Sequence, residues 1–207
     1  MDHVLRGNLA DSKSQLPQAQ ALKVVSWNIN RGLRLGDILE FLKSQAADLL
    51  ILQEVDLNAR RTGYLNVAEE LARNLSMNYA FGCEFQELTQ GSSTGAAYHG
   101  QATLSRGDVA NPRLLRFRRQ SNFWRPRWFV PAVKPFQKRL GGRIALVSDV
   151  DLAGTRWTIY NVHLESRGGN DLRHSQLQEI LKNAEQSVTD RPRVLAGDLN
   201  FDVSRAG

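Results

Sequence analysis

The fold is decided by two stretches, Tyr160-Asn161-Val162-His163-Leu164-Glu165-Ser166 and Ala196-Gly197-Asp198-Leu199-Asn200. Each opens as an apolar β run and closes in a cluster of polar, ligand-capable residues. A rigid sheet edge holds the groups just beyond a strand in fixed geometry, and functional groups of open sheets gather at such edges. Two further strand ends of this kind lie toward the N-terminus. Ser26-Trp27-Asn28 closes a strand expected over residues 22–27, and Leu52-Gln53-Glu54 follows the apolar run Leu49-Leu50-Ile51-Leu52. That run has no polar alternation, as expected of a strand buried on both faces.

Between these strands the pattern switches period. A short helix is expected over residues 37–45. A second starts at Asn66, an N-cap with Glu69 three residues on, and Val67, Leu71 and Leu75 recur on one face. Residues 79–85 and 101–105 are further strands. Residues 143–152 and 156–164 form a hairpin around Ala153-Gly154. Asp171 is expected to cap a third helix with Leu177, Ile180, Leu181 and Ala184 facing inward, and residues 193–196 form a last strand. The order predicts a layered α/β or α+β domain over residues 21–207, preceded by a flexible polar lead-in over residues 1–20.

The residue types at the four strand ends suit phosphoester hydrolysis. Mg²⁺ takes hard oxygen ligands and keeps several waters, so a site needs only one or two carboxylates. Glu54 supplies a carboxylate and Asn28 an amide oxygen. Asp198 suits orientation or deprotonation of an attacking water. Asn200 suits holding that water or donating to a phosphoryl oxygen. His163 suits donation to the charge that builds on the phosphoryl oxygens. Singly, each has an ordinary structural explanation: a packed tryptophan beside a turn asparagine, a solvated strand end, a satisfied core histidine, an Asx turn. Their joint order is what carries weight.

That order is Trp-Asn, Gln-Glu, Gly100-Gln101-Ala102-Thr103-Leu104-Ser105-Arg106, Asn-x-His-Leu-Glu-Ser and Gly-Asp-Leu-Asn. It resembles the endonuclease/exonuclease/phosphatase superfamily over residues 22–202. Many members carry Asn where this chain has Gln101. The resemblance implies an α+β four-layer sandwich, two mixed β-sheets face to face with helices outside. It implies Asn28 and Glu54 at a Mg²⁺ ion, with Mn²⁺ as the alternative. It implies His163 on the scissile phosphate, and Asp198 and Asn200 positioning the water for in-line attack. Family members continue past the Gly-Asp-Leu-Asn strand to closing strands and a late Ser-Asp-His motif. No Ser-Asp-His occurs in these 207 residues. The expectation is therefore a domain lacking its final strands. Its activity is a nuclease-like phosphodiesterase, or alternatively a lipid or inositol phosphate hydrolase, or an impaired member that binds metal and phosphate without turnover.

Composition adds a partner class. The formal net charge is +6, yet no Asp or Glu occurs between Val109 and Ser148. That stretch holds Arg113, Arg116, Arg118, Arg119, Arg125, Arg127, Lys134, Lys138, Arg139 and Arg143, interleaved with Phe117, Phe123, Trp124, Trp128, Phe129 and Phe136. Basic and aromatic groups together suit nucleic-acid strands or an anionic lipid headgroup surface. A long loop with packed aromatics and solvated arginines is the structural alternative. The single cysteine, Cys83, excludes an intramolecular disulfide, and no apolar run is long enough for a signal or a membrane span, so the expected location is cytoplasmic. Of the other histidines, His99 is read as structural and His174 as a surface residue. His3, in Asp2-His3-Val4-Leu5, faintly echoes a late strand of the family.

Overall fold

The computed structural model describes residues 3–10, 21–124, 137–187 and 190–201. Ten strands are described: β1 (Val4–Gly7), β2 (Val24–Arg31), β3 (Leu49–Leu57), β4 (Asn78–Glu87), β5 (Ala97–Ser105), β6 (Val109–Arg116), β7 (Arg139–Gly141), β8 (Ile144–Leu152), β9 (Thr155–His163) and β10 (Arg193–Asp198). Three α-helices join them: α1 (Leu35–Gln45), α2 (Val67–Leu75) and α3 (Asn170–Gln186). One sheet runs β1-β4-β5-β3-β2, with β7 also on β4; the other runs β10-β9-β8-β6. Each sheet has a single parallel pair, β2 with β3 and β9 with β10, and is otherwise antiparallel.

Strand parity builds the layers. Successive side chains point to opposite faces, and β3 is apolar on both. Leu50 and Leu52 pack with Ile38 and Leu42 of α1 and with Val67 and Leu71 of α2. Leu49 and Ile51 turn the other way and meet Val150, Leu152 and Ile159 of the second sheet. The far face of that sheet, with Val147, Tyr160 and Val162, packs on Ile180 of α3. The result is helices, sheet, sheet, helix, the four-layer α+β sandwich expected. Burying each large aliphatic side chain in it contributes about 1.5–3 kcal/mol.

Local signals settle several boundaries. The Asn66 side chain accepts from Glu69 N (3.2 Å) and its amide donates to Glu69 Oε2 (3.2 Å), capping α2. Ala153 and Gly154 both have positive φ (51° and 76°), the backbone of a two-residue turn whose twist matches the β8–β9 hairpin.

Four readings differ from the structure. Residues 4–7 of the presumed lead-in form β1, because β4 offers an open edge and Val4 to Gly7 pair antiparallel with Gly82 to Tyr79; residues 11–20 lie outside the described residues. Strands β6 and β7 carry no clean alternation and escape a pattern reading. Helix α3 is preceded by Gly169 in extended conformation, which places Asp171 in the first turn rather than at the cap. Leu181 is 48% exposed, whereas Arg173 and Gln176 are buried beside Ile180. These two polar residues sit one and two turns before Ile180, where they satisfy backbone groups at the end of β9. Gln176 Oε1 accepts from Glu165 N (3.0 Å), and Arg173 donates to the carbonyls of Glu165 (3.0 Å) and Gly168 (3.1 Å).

Candidate active site

The first half of the site sits where β2 and β3 end. Both strands lose regular register there, between Asn28 and Arg31 on β2 and between Leu52 and Val55 on β3. On β3 three steps oppose two on β5, so one residue is extra. That residue is Glu54, held at φ 53°, in the left-handed region. A non-glycine residue there costs about 1–3 kcal/mol and persists where the surroundings over-determine it. The bulge shifts the parity, since Leu52 and then Val55 face the helices. It also re-aims the Glu54 carboxylate, as bulges beside active sites do. Its Oε1 accepts from Asn28 Nδ2 (3.3 Å).

The second half lies on β9 and β10. Their parallel register sets His163 beside Asp198, and His163 Nε2 lies 3.7 Å from Asp198 Oδ2. Asn200, at φ 51°, donates its backbone N–H to Asp198 Oδ1 (3.1 Å) and its amide to the Leu164 carbonyl (3.0 Å). The two halves meet through Asn28, whose Nδ2 also donates to Asp198 Oδ2 (3.1 Å). Asn28, Glu54, His163, Asp198 and Asn200, drawn from four strand ends, thus converge on one cleft. A groove of about 670 Å³ between β2 and α1, lined by Trp27, Asn28, Asn30, Leu33 and Phe41 among others, opens beside it.

Beneath the cleft lie polar residues that sequence reasoning missed. Asn161 reaches from β9 into the facing sheet, donating to the carbonyls of Leu52 (3.1 Å) and Ala102 (2.9 Å) and accepting from Gln53 Nε2 (2.9 Å). Glu84, wholly buried, sits at a second bulge, between Cys83 and Phe85 of β4. Both bulges flank Gly100, where an added Cβ would strike the Gly82 carbonyl. Glu84 accepts from Arg143 Nη1 (2.7 Å) and from Gln101 Nε2 (3.0 Å), and its Oε1 lies 3.4 Å from His163 Nδ1. Arg143 Nη1 is also 2.9 Å from His163 Nδ1. Burial pushes the Glu84 carboxyl up, but the Arg143 guanidinium holds it well below the usual carboxylate range. In the sequence these residues show as a glutamate beside the apolar and aromatic residues of β4 and an arginine immediately before β8.

A second buried network adjoins it. His99 Nδ1 lies 2.8 Å from Asp56 Oδ1, and Arg61 donates to both Asp56 oxygens (2.6 and 2.8 Å). Burial raises the Asp56 carboxyl, and the hydrogen bonds from His99 and Arg61 overcome it, so the net shift is downward. His99 is buried; His174 is exposed on α3. Of the basic aromatic stretch, residues 125–136 lie outside the described residues. Phe117 and Trp124 are buried, and Trp124 Nε1 donates to Glu165 Oε2 (2.7 Å). Phe123 is 39% exposed, with the Arg167 guanidinium 4.4 Å and that of Arg139 5.9 Å from its ring centre. The described part of the stretch therefore divides into packed aromatics and an exposed arginine-flanked ring.

The donor chemistry fits a hard divalent cation. Two carboxylates, Glu54 and Asp198, supply hard oxygens of the kind and number that suit Mg²⁺; Asn28 turns its Nδ2 to both of them, and its Oδ1 accepts from Asn30 N (3.1 Å). Among the described residues no cluster of three or more His, Cys, Asp or Glu is arranged as a metal cage, which such a water-rich site does not require.

The paired mixed sheets, with polar strand ends gathered at one cleft between them, define a deoxyribonuclease I-like sandwich. The sequence over residues 25–207 matches the Endonuclease/Exonuclease/phosphatase family. The chain belongs to that family. No curated protein matches it in sequence. Among solved structures, an endonuclease/exonuclease/phosphatase from Beutenbergia cavernae superimposes with TM-score 0.59 at 20% identity, over 87% of this chain and 47% of that one. The human Nocturnin catalytic domain with bound sulfate gives 0.62 at 18%, over 97% and 68%. D. rerio TDP2 in complex with a single-strand DNA product gives 0.56 at 20%, over 89% and 62%. The chain thus spans between about half and two thirds of the length of these relatives. No helix among the described residues is long and apolar enough to cross a membrane.

Proposed function

We propose that this chain carries the hydrolytic centre of a Mg²⁺-dependent phosphoester hydrolase, a nuclease-like phosphodiesterase. The observation that carries the reading is the convergence of Asn28 and Glu54 from one sheet with His163 and Asp198 from the other, linked by the Asn28 hydrogen bonds to both carboxylates. Glu54 would hold the ion, with the Asn28 amide oxygen, which here accepts from Asn30 N, as the second ligand. When bound, Mg²⁺ polarises a phosphoryl oxygen and neutralises developing charge. Asp198, oriented by Asn28 and by the backbone of Asn200, accepts the proton of the attacking water. His163, 2% exposed, donates from the Nε2 edge to a phosphoryl oxygen, where charge accumulates. Asn200 uses its amide nitrogen to fix the loop at Leu164, which leaves its carbonyl oxygen as an acceptor for that water.

Nucleic acid is the favoured substrate class. Phe123, with arginines on its flanks, is a stacking platform of the kind that holds single strands, and a relative of the same fold binds single-strand DNA product. The test is turnover of bis(p-nitrophenyl) phosphate and of a labelled single-stranded oligonucleotide with Mg²⁺. Asp198→Ala should lower both by about 10²–10⁴-fold, and a chelator should abolish them. Equal turnover by native chain and variant refutes the site. Hydrolysis of inositol phosphates or lipid headgroups, with the oligonucleotide left intact, refutes the substrate class alone.

A further inference from the structure

We propose that Arg143 is a positioning residue that decides which nitrogen of His163 carries the hydrogen. This rests on the hydrolytic reading above for its consequence, though not for its geometry. A guanidinium has donors, no acceptor, and stays protonated at any working pH. Arg143 Nη1 lies 2.9 Å from His163 Nδ1, so Nδ1 must accept and bears no hydrogen. A neutral imidazole then carries its hydrogen on Nε2, the nitrogen that faces Asp198 Oδ2 at 3.7 Å. That edge is the one able to donate to a phosphoryl oxygen. The opposite tautomer would present a lone pair to an anion.

Glu84 is the competing partner of Nδ1, and it would demand the opposite tautomer. Its nearer oxygen is 3.4 Å away, long for such a bond. Both Glu84 oxygens already have shorter partners, Oε1 with Gln101 Nε2 at 3.0 Å and Oε2 with Arg143 Nη1 at 2.7 Å. Glu84 therefore anchors the arginine, and the arginine sets the ring. Both terminal nitrogens of the guanidinium are engaged, while its buried Nε has no hydrogen-bond partner among the described residues. Its Nη2 donates to Ser166 Oγ (3.3 Å), and its carbon lies 5.6 Å from the Trp124 ring centre. Its backbone is clamped by Gln120, which accepts from Arg143 N (2.9 Å) and donates to Arg143 O (2.8 Å). The two hydrogens of Nη1 serve Glu84 Oε2 and His163 Nδ1 while Nη2 serves Ser166 Oγ in the same plane, an arrangement a lysine ammonium reproduces less well.

The test is a long-range proton–nitrogen correlation spectrum of the chain labelled with ¹⁵N-histidine. The sequence holds four histidines, and His163 is assigned by the signals lost in His163→Gln. The expected native result is an unprotonated Nδ1 and a protonated Nε2. In Arg143→Met the hydrogen should move to Nδ1, toward Glu84, and kcat on bis(p-nitrophenyl) phosphate should fall by about 10²-fold with KM little changed. Should that variant not fold, Arg143→Met with Glu84→Leu removes the stranded carboxylate as well, and the ring should then populate both tautomers. A native spectrum with hydrogen on Nδ1, or native nitrogen shifts retained in either variant, overturns the proposal. The expected spectra without any hydrolysis would leave Arg143 as the positioning residue and remove the hydrolytic reading instead.

Discussion

Replacing Asn161 with leucine removes a buried side chain that ties the His163 strand to the Glu54 strand from inside. Asn161 is fully buried and makes three hydrogen bonds, two to backbone carbonyls and one with Gln53. Leucine keeps the heavy-atom count and branching of asparagine, so no cavity opens. At about 1 kcal/mol net for each bond, with two buried carbonyls each losing a donor, the loss should be about 3 kcal/mol. With a urea dependence of about 2–3 kcal/mol per molar, the unfolding midpoint should drop by about 1–1.5 M at unchanged slope. Gln53→Leu and the double variant complete a cycle whose coupling should be about 1 kcal/mol, the worth of the shared bond. A midpoint shift under about 0.3 M would mean that the sheets are aligned by apolar packing alone.

Three further outcomes follow from the same geometry. Glu54→Asn relieves the left-handed strain with a residue that tolerates it, so thermal stability should rise by about 1 kcal/mol while Mg²⁺-dependent turnover disappears; a lower Tm would show that the bulge is not strained. The carboxyls of Asp56 and Glu84 lie below their ordinary values in the folded chain. Their contribution is therefore complete above the unfolded value of about 4 and is lost as pH falls beneath it. The urea midpoint should be level from neutral pH down to about 5 and then decline steeply, and a midpoint that rises on acidification contradicts the assignment. Oligonucleotide binding should weaken in Phe123→Ala and with added salt, measured by anisotropy; affinity insensitive to both would remove Phe123 and its arginines from the substrate path.

Much of the layered architecture could be read from local pattern. The apolar run of β3, the Asn66–Glu69 cap, the Ala153-Gly154 turn and the strand-end motifs each act within a few residues. What escaped is what depends on distant partners. Val4 to Gly7 becomes a strand because β4 lies beside it. Leu181 stays outside because Arg173 and Gln176 are recruited to backbone groups near Glu165. The bulges that re-aim Glu54 and bury Glu84 arise from register with β5, and no alternation within β3 or β4 announces them.

By itself, the sequence determined which residue types stand at the strand ends, since each strand's hydrophobic pattern places its own terminus. Tertiary structure alone decided that these ends meet, and how they are held. Asn28 contacts Asp198 across 170 positions of chain, and Arg143 reaches Glu84 across 59. Contacts so remote along the chain form when two sheets pack face to face, because a buried polar group must find a partner wherever the fold brings one.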